Sequence, residues 1–145
     1  MDAKTVNLVR GLLTSALEGG SNYWYRDLQP GAIPAGTVFD DYRQGGRCQP
    51  RNEHGEEEYW HWAELLPTVP GGSVTIKYED DGGDGTDESL KTFTLDLPTL
   101  KRGLDVMQAK YPKRWAEAVD PDDGGDADTG DCFLQCCLFG DVIFG

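Results

Sequence analysis

The chain has 145 residues, 38% of them hydrophobic, and a formal charge of −13 from 26 acidic and 13 basic side chains. That length suits one domain able to bury roughly 70% of its unfolded surface, and the charge argues against non-specific attraction to nucleic acid or an anionic membrane. No basic-then-apolar leader opens the sequence, and no run approaches the ~20 apolar residues that cross a bilayer, so the expectation is a cytoplasmic protein.

Taken in chain order, the spacing of Val6, Val9, Leu13, Ala16 and Leu17 predicts a helix over 4–18, with Asp2 and Thr5 as candidate caps. Gly19-Gly20 stops it, and the adjacent aromatics Tyr23, Trp24 and Tyr25 suggest that a strand begins there. Residues 26–58 hold Pro30, Gly31, Pro34, Gly36 and a charged, glycine-rich run, which reads as a long loop excursion with a short strand at Thr37–Phe39. Tyr59–Leu66, with Trp60 and Trp62, reads as a strand ending at Pro67. Val74, Ile76 and Tyr78 alternate with polar residues, Leu90–Leu95 repeats the pattern, and the Gly/Asp-rich stretch between them predicts a long-looped hairpin.

Asp96 is placed to cap a helix whose Leu97, Leu100, Leu104, Met107 and Tyr111 recur at helical spacing. Pro112 ends or kinks it, and a short helix follows to Val119. An acidic linker over 120–127 leads to the last helix, for which Asp128 is the expected N-cap, with Asp131 in capping-box position. From Cys132 to Phe139 only Gln135 is polar, so this helix must be buried on nearly every side. Gly140 suits its left-handed end, and Val142–Phe144 reads as a short buried strand or packed tail. The whole chain, 1–145, is thus expected to be a single α+β domain. It should have an N-terminal helix, a small antiparallel sheet and two to three helices packed on one face.

Several constellations bear on chemistry. Cys132 and Cys136 share a helix face and Cys48 with His54 would complete a zinc set, but three of the four cysteines sit in the apolar helix and read as reduced core thiols. Asp80, Asp81, Asp84 and Asp87 crowd one loop without EF-hand spacing. His54 and His61 are the only histidines, and no serine or cysteine lies in a nucleophile elbow. No catalytic residue, metal or cofactor is therefore expected. The aromatics Tyr23, Trp24, Tyr25, Trp60 and Trp62, with Arg43 and Arg47, form a candidate surface for stacking a nucleobase or peptide side chain. The acidic stretches at 53–58, 79–88 and 120–131 form a candidate face for a Lys/Arg-lined groove.

The segments Ser15–Trp24, with its EGGSNYW core, and Asp126–Gly145 resemble the two end signatures of a family of small tailed-bacteriophage and prophage proteins; Leu97–Tyr111 is similar to the helix that precedes the second signature. The resemblance implies a phage accessory protein acting in the host cytoplasm and carries over no catalytic residue. The leading expectation is a non-enzymatic protein that inhibits a basic host protein or defence complex, of anti-CRISPR or other anti-defence type. A nucleotide or small-ligand binder using the aromatic clusters and loop arginines is the alternative, and a phage structural or assembly protein a third.

Overall fold

The computed structural model describes residues 1–39, 47–49, 60–79, 86 and 89–145, and shows the expected mixed α+β architecture. Helix α1 (Ala3–Ser15) runs into a π-turn at Ala16–Gly20 and leads to strand β1 (Tyr25–Pro30). Strands β2 (Val38–Phe39), β3 (Arg47–Gln49) and β4 (Trp60–His61) follow, then helix α2 (Trp62–Leu65) with a 3₁₀ turn at Leu66–Thr68. Strands β5 (Val74–Glu79) and β6 (Leu90–Leu95) precede helices α3 (Leu97–Lys110), α4 (Pro112–Val119) and α5 (Ala127–Phe139). No helix among the described residues is long and apolar enough to cross a membrane.

The hairpin pairs β5 with β6 in antiparallel register from Val74↔Leu95 to Glu79↔Leu90. Strand β1 adds to the other side of β5, giving the order β1-β5-β6. Val74, Ile76 and Tyr78 are buried while the residues between them are half-buried, so the alternation in sequence is the two-sidedness of this sheet. Against the buried face lies α5, every residue of which from Thr129 to Leu138 is buried. It packs on α1, α3, α4 and β6 and is the centre of the core.

Two glycines let the helices approach α5 closely. A Cβ on Gly130 would lie 2.7 Å from the backbone nitrogen of Ala16, and one on Gly103 of α3 would lie 3.0 Å from Cys137 Cα. Gly11, by contrast, sits on the exposed side of α1 with nothing near its missing side chain. Gly11→Ala is therefore expected to raise stability by about 0.5–1 kcal/mol, read as a higher urea midpoint with an unchanged slope.

Several sequence expectations are corrected. The aromatic run does not start a strand at Ser21: residues 21–24 form a turn closed by Trp24 N–H on the Ser21 carbonyl at 3.1 Å, and only Tyr25 enters β1. The excursion expected from residue 26 is instead strand as far as Pro30, which is tolerated because β1 is an edge strand. Parts of that stretch also form the second small sheet, β2-β3-β4; residues 40–46 and 50–59 lie outside the described residues. The strand expected through Leu66 stops at His61, whose Nδ1 accepts from Ala63 N–H at 3.2 Å and so caps α2. The tail 142–144 is extended but unpaired, with Val142 and Ile143 exposed and Phe144 packed inward.

The last helix begins one cap earlier than expected. Asp126, in extended conformation, accepts from Thr129 N–H at 3.0 Å, whereas Asp128 lies inside the first turn. That releases Asp131 from any capping role. Gly140 ends the helix at φ +69°, as expected.

Candidate functional site

The site is organised by Asp131, which is 8% exposed. Its Oδ1 accepts from Ser21 Oγ and Trp24 Nε1, both at 2.7 Å, and its Oδ2 accepts from Tyr23 Oη at 2.6 Å and Gln135 Nε2 at 3.1 Å. All four donors are neutral, so hydrogen bonds rather than a counter-ion hold this carboxylate in place. The local sequence explains the convergence. The π-turn and Gly20, whose Cβ would collide with the Ala127 carbonyl, bring the end of α1 against the start of α5. The 21–24 turn then aims three donors at one carboxylate.

Gln135, one helical turn further on, extends the network to the tail. Its Oε1 accepts from the backbone N–H groups of Ile143 and Phe144, both at 2.8 Å, and its Nε2 also donates to the Phe144 carbonyl at 3.2 Å. Phe144 lies parallel to the Trp24 indole with centroids 5.3 Å apart. The segments 15–24 and 126–145 are thus joined side chain to side chain.

Above Asp131 opens a cavity of about 450 Å³. Its walls include Tyr23, Tyr111, Arg114, Asp128 and Phe144, with Asp131 and Cys132 deeper in. Arg114 is held by Glu117 at 3.1 Å and lies 4.0 Å from Asp126 and from Asp128. Tyr111 donates its hydroxyl proton to Asp141 and accepts from Val142 N–H at 3.1 Å. Cys136 keeps its proton and donates toward Cys132, which lowers the Cys132 thiol below its usual range against the opposing effect of burial.

Tyr23 is 58% exposed as a residue, yet its hydroxyl is tied inward. Burial of the phenol, its hydrogen bond to Asp131 and that carboxylate's charge push its pKa from 10.0 up to about 12. The folded state thus holds the proton more tightly, so the stability this contributes is present below pH 10 and is lost as pH rises through about 12. Denaturant midpoints measured across that window should fall more steeply for the wild-type chain than for Tyr23→Phe.

The other sequence-predicted residues go elsewhere. Trp24 is 4% exposed and belongs to the main core with Tyr78, Phe139 and Phe144. Tyr25 donates its hydroxyl proton to the Leu17 carbonyl at 2.8 Å. Trp60 and Trp62 pack on a separate cluster of Cys48, Leu65 and Val69, with the Arg10 guanidinium 5.3 Å from the Trp60 ring centre. Trp62 also packs against the main core, as Tyr25 does. Arg47 lies in β3 opposite His61. Arg43, Asp80, Asp81, Asp84 and Asp87 lie outside the described residues, as does His54.

All four cysteines are buried and outside any disulfide, and Cys48 lies in the second cluster, apart from the three on α5. Among the described residues no three His, Cys, Asp or Glu side chains gather as a metal site. The functional residues that sequence reasoning missed are Ser21, Tyr111, Arg114 and Gln135, together with the acceptor role of Asp131. The available signal was Asp131 and Gln135 themselves, polar residues four apart on an otherwise apolar helix. No family model, curated protein or solved structure matches this chain.

Proposed function

We propose that this chain is a non-enzymatic, acidic binding protein that covers a basic surface of a host protein or protein complex, as an accessory protein of the phage type its end motifs resemble. The observation that carries this reading is the exposed acidic shoulder leading into α5. Asp120, Asp122, Asp123, Asp126 and Asp128 are all exposed there, on a chain of net charge −13. The shoulder is shaped rather than loose: Asp122 N–H donates to Asp120 Oδ1 at 2.9 Å, Gly124 N–H donates to the Asp120 carbonyl at 2.8 Å, and Asp126 caps the helix. Carboxylates held at such a place compete for the Lys/Arg groups with which a partner would hold phosphates.

A nucleobase-stacking role draws less support, because Phe144 already covers one face of Trp24 and Trp60 and Trp62 lie in another cluster. Pull-down of tagged full-length protein from bacterial lysate tests the proposal. A defined protein complex should be recovered at about 0.05 M salt and lost at about 0.5 M, where screening shortens the reach of surface charge several-fold. Recovery that is indifferent to salt, or no protein partner at either, would sink it.

A further inference from the structure

We propose that the cavity over Asp131 receives an arginine side chain of the protein partner, which makes it the anchor point of the docking surface; this rests on the acidic-binder reading above. At about 450 Å³ the cavity falls within the size range of ligand pockets and has room for a guanidinium-bearing side chain. Its charge balance selects a cation. Asp128 and Asp131 line it beside the single lining cation Arg114; Glu117 and Asp126 lie against that Arg114, and Asp141 against the lining Tyr111 and against Lys110. Both cations are already engaged. Arg114 is held by Glu117 and flanked by Asp126 and Asp128, and Lys110 donates to the Gly140 carbonyl at 2.9 Å beside Asp141. Asp131 is more than nine-tenths buried and its four donors are all neutral, so its negative field reaches the cavity without a paired cation.

The walls then favour guanidinium over ammonium. Tyr23 and Tyr111 both line the cavity and keep their protons in the neutral range. A flat, weakly hydrated guanidinium stacks on phenol rings while donating laterally to carboxylates; a compact, strongly hydrated ammonium does this less well. Asp128, with a side chain 77% exposed at the mouth, supplies the accessible oxygen for such a pair. An anionic occupant would instead have to displace Glu117 from Arg114 in the presence of Asp128 and Asp131.

The full-length chain titrated by amide NMR with N-acetyl-arginine amide tests the assignment. Saturable shifts are expected at Tyr23, Asp128, Cys132 and Val142, with a Kd on the order of 1 mM or weaker, as befits one isolated side chain. The neutral isostere N-acetyl-citrulline amide should bind about tenfold more weakly or worse, corresponding to loss of one charge-assisted contact. Asp128→Asn should weaken the arginine probe about threefold or more while the fold is kept, since Asp126 does the capping and the first-turn charge contributes only weakly to stability. Equal binding of citrulline, saturable shifts with inorganic phosphate at the same amides, or no saturable response to arginine would overturn the proposal. Failure of the two ideas is separable. A salt-sensitive partner captured equally well by Asp128→Asn, with an arginine-blind cavity, removes the anchor and leaves the acidic-binder reading. An arginine-responsive cavity with no captured partner does the reverse.

Discussion

Asp131→Ala should cost about 3–5 kcal/mol, the range for breaking a buried, hydrogen-bonded charge network by removing one partner. The reason is arithmetic of donors. The substitution leaves Ser21 Oγ, Trp24 Nε1, Tyr23 Oη and one Gln135 amide proton without their acceptor, and all of those but Tyr23 belong to buried residues. Against a total stability of ~5–15 kcal/mol for a domain of this kind, that brings the folded state close to the point of loss. Asp131→Asn is the sharper comparison. Its single carbonyl oxygen can serve either Ser21 and Trp24 or Tyr23 and Gln135, while the amide nitrogen faces donors on the other side, so about 2 kcal/mol or more is still expected to be lost. Urea unfolding followed by tryptophan fluorescence would measure both. A loss below about 1 kcal/mol for the alanine variant would show that the network is incidental to the fold.

Gly130→Ala should be a strongly damaging single-methyl insertion in α5. The added carbon would sit 2.7 Å from Ala16 N and from Ser15 Cβ, and 2.8 Å from the Leu12 carbonyl oxygen. Two of those three neighbours are backbone, so no rotamer change relieves the clash and α1 must move away from α5. Overpacking of this type costs about 1–3 kcal/mol, and the outcome should lie at the upper end despite a helix-propensity gain of up to ~1 kcal/mol from replacing glycine. Displacing α1 also displaces Ser21, so the indole and hydroxyl bonds to Asp131 weaken with it. Calorimetry of Gly130→Ala beside Gly11→Ala gives opposite signs for the same chemical change in two helices of one protein; a stabilised Gly130→Ala would refute the close crossing.

What was legible in the sequence was what repeats locally. The β5–β6 hairpin declared itself through alternation, and α3 through the spacing of Leu97, Leu100, Leu104 and Met107 behind the Asp96 cap, because in both cases the periodicity and the structure span the same few residues. Burial of α5 was legible for a related reason: with a single polar residue from Cys132 to Phe139, no solvent-facing stripe exists. The start of α5 was misplaced because aspartates at 126, 128 and 131 all satisfy the local rule for a cap, and only the backbone conformation at Asp126 chooses among them. Strand β4 was overextended because Trp60 and Trp62 suit a strand locally, while the cap at His61 and the packing of Ala63 and Leu65 turn the chain into α2. The Asp131 site was illegible for a different reason. Three of its four donors lie 107 to 110 residues away in sequence, and no window-based regularity connects Ser21 to Asp131.

That separation also sets an order of events during synthesis. Ribosomes extend chains at ~5–20 residues per second, so the Ser21–Trp24 turn waits roughly 5–20 s before Asp131 has been made. Throughout that interval the apolar side of α1, and from residue 95 onward the inner face of the hairpin, have no central helix to pack on. The native packing around the buried carboxylate can therefore form only after α5 has been made, among donors that were translated first.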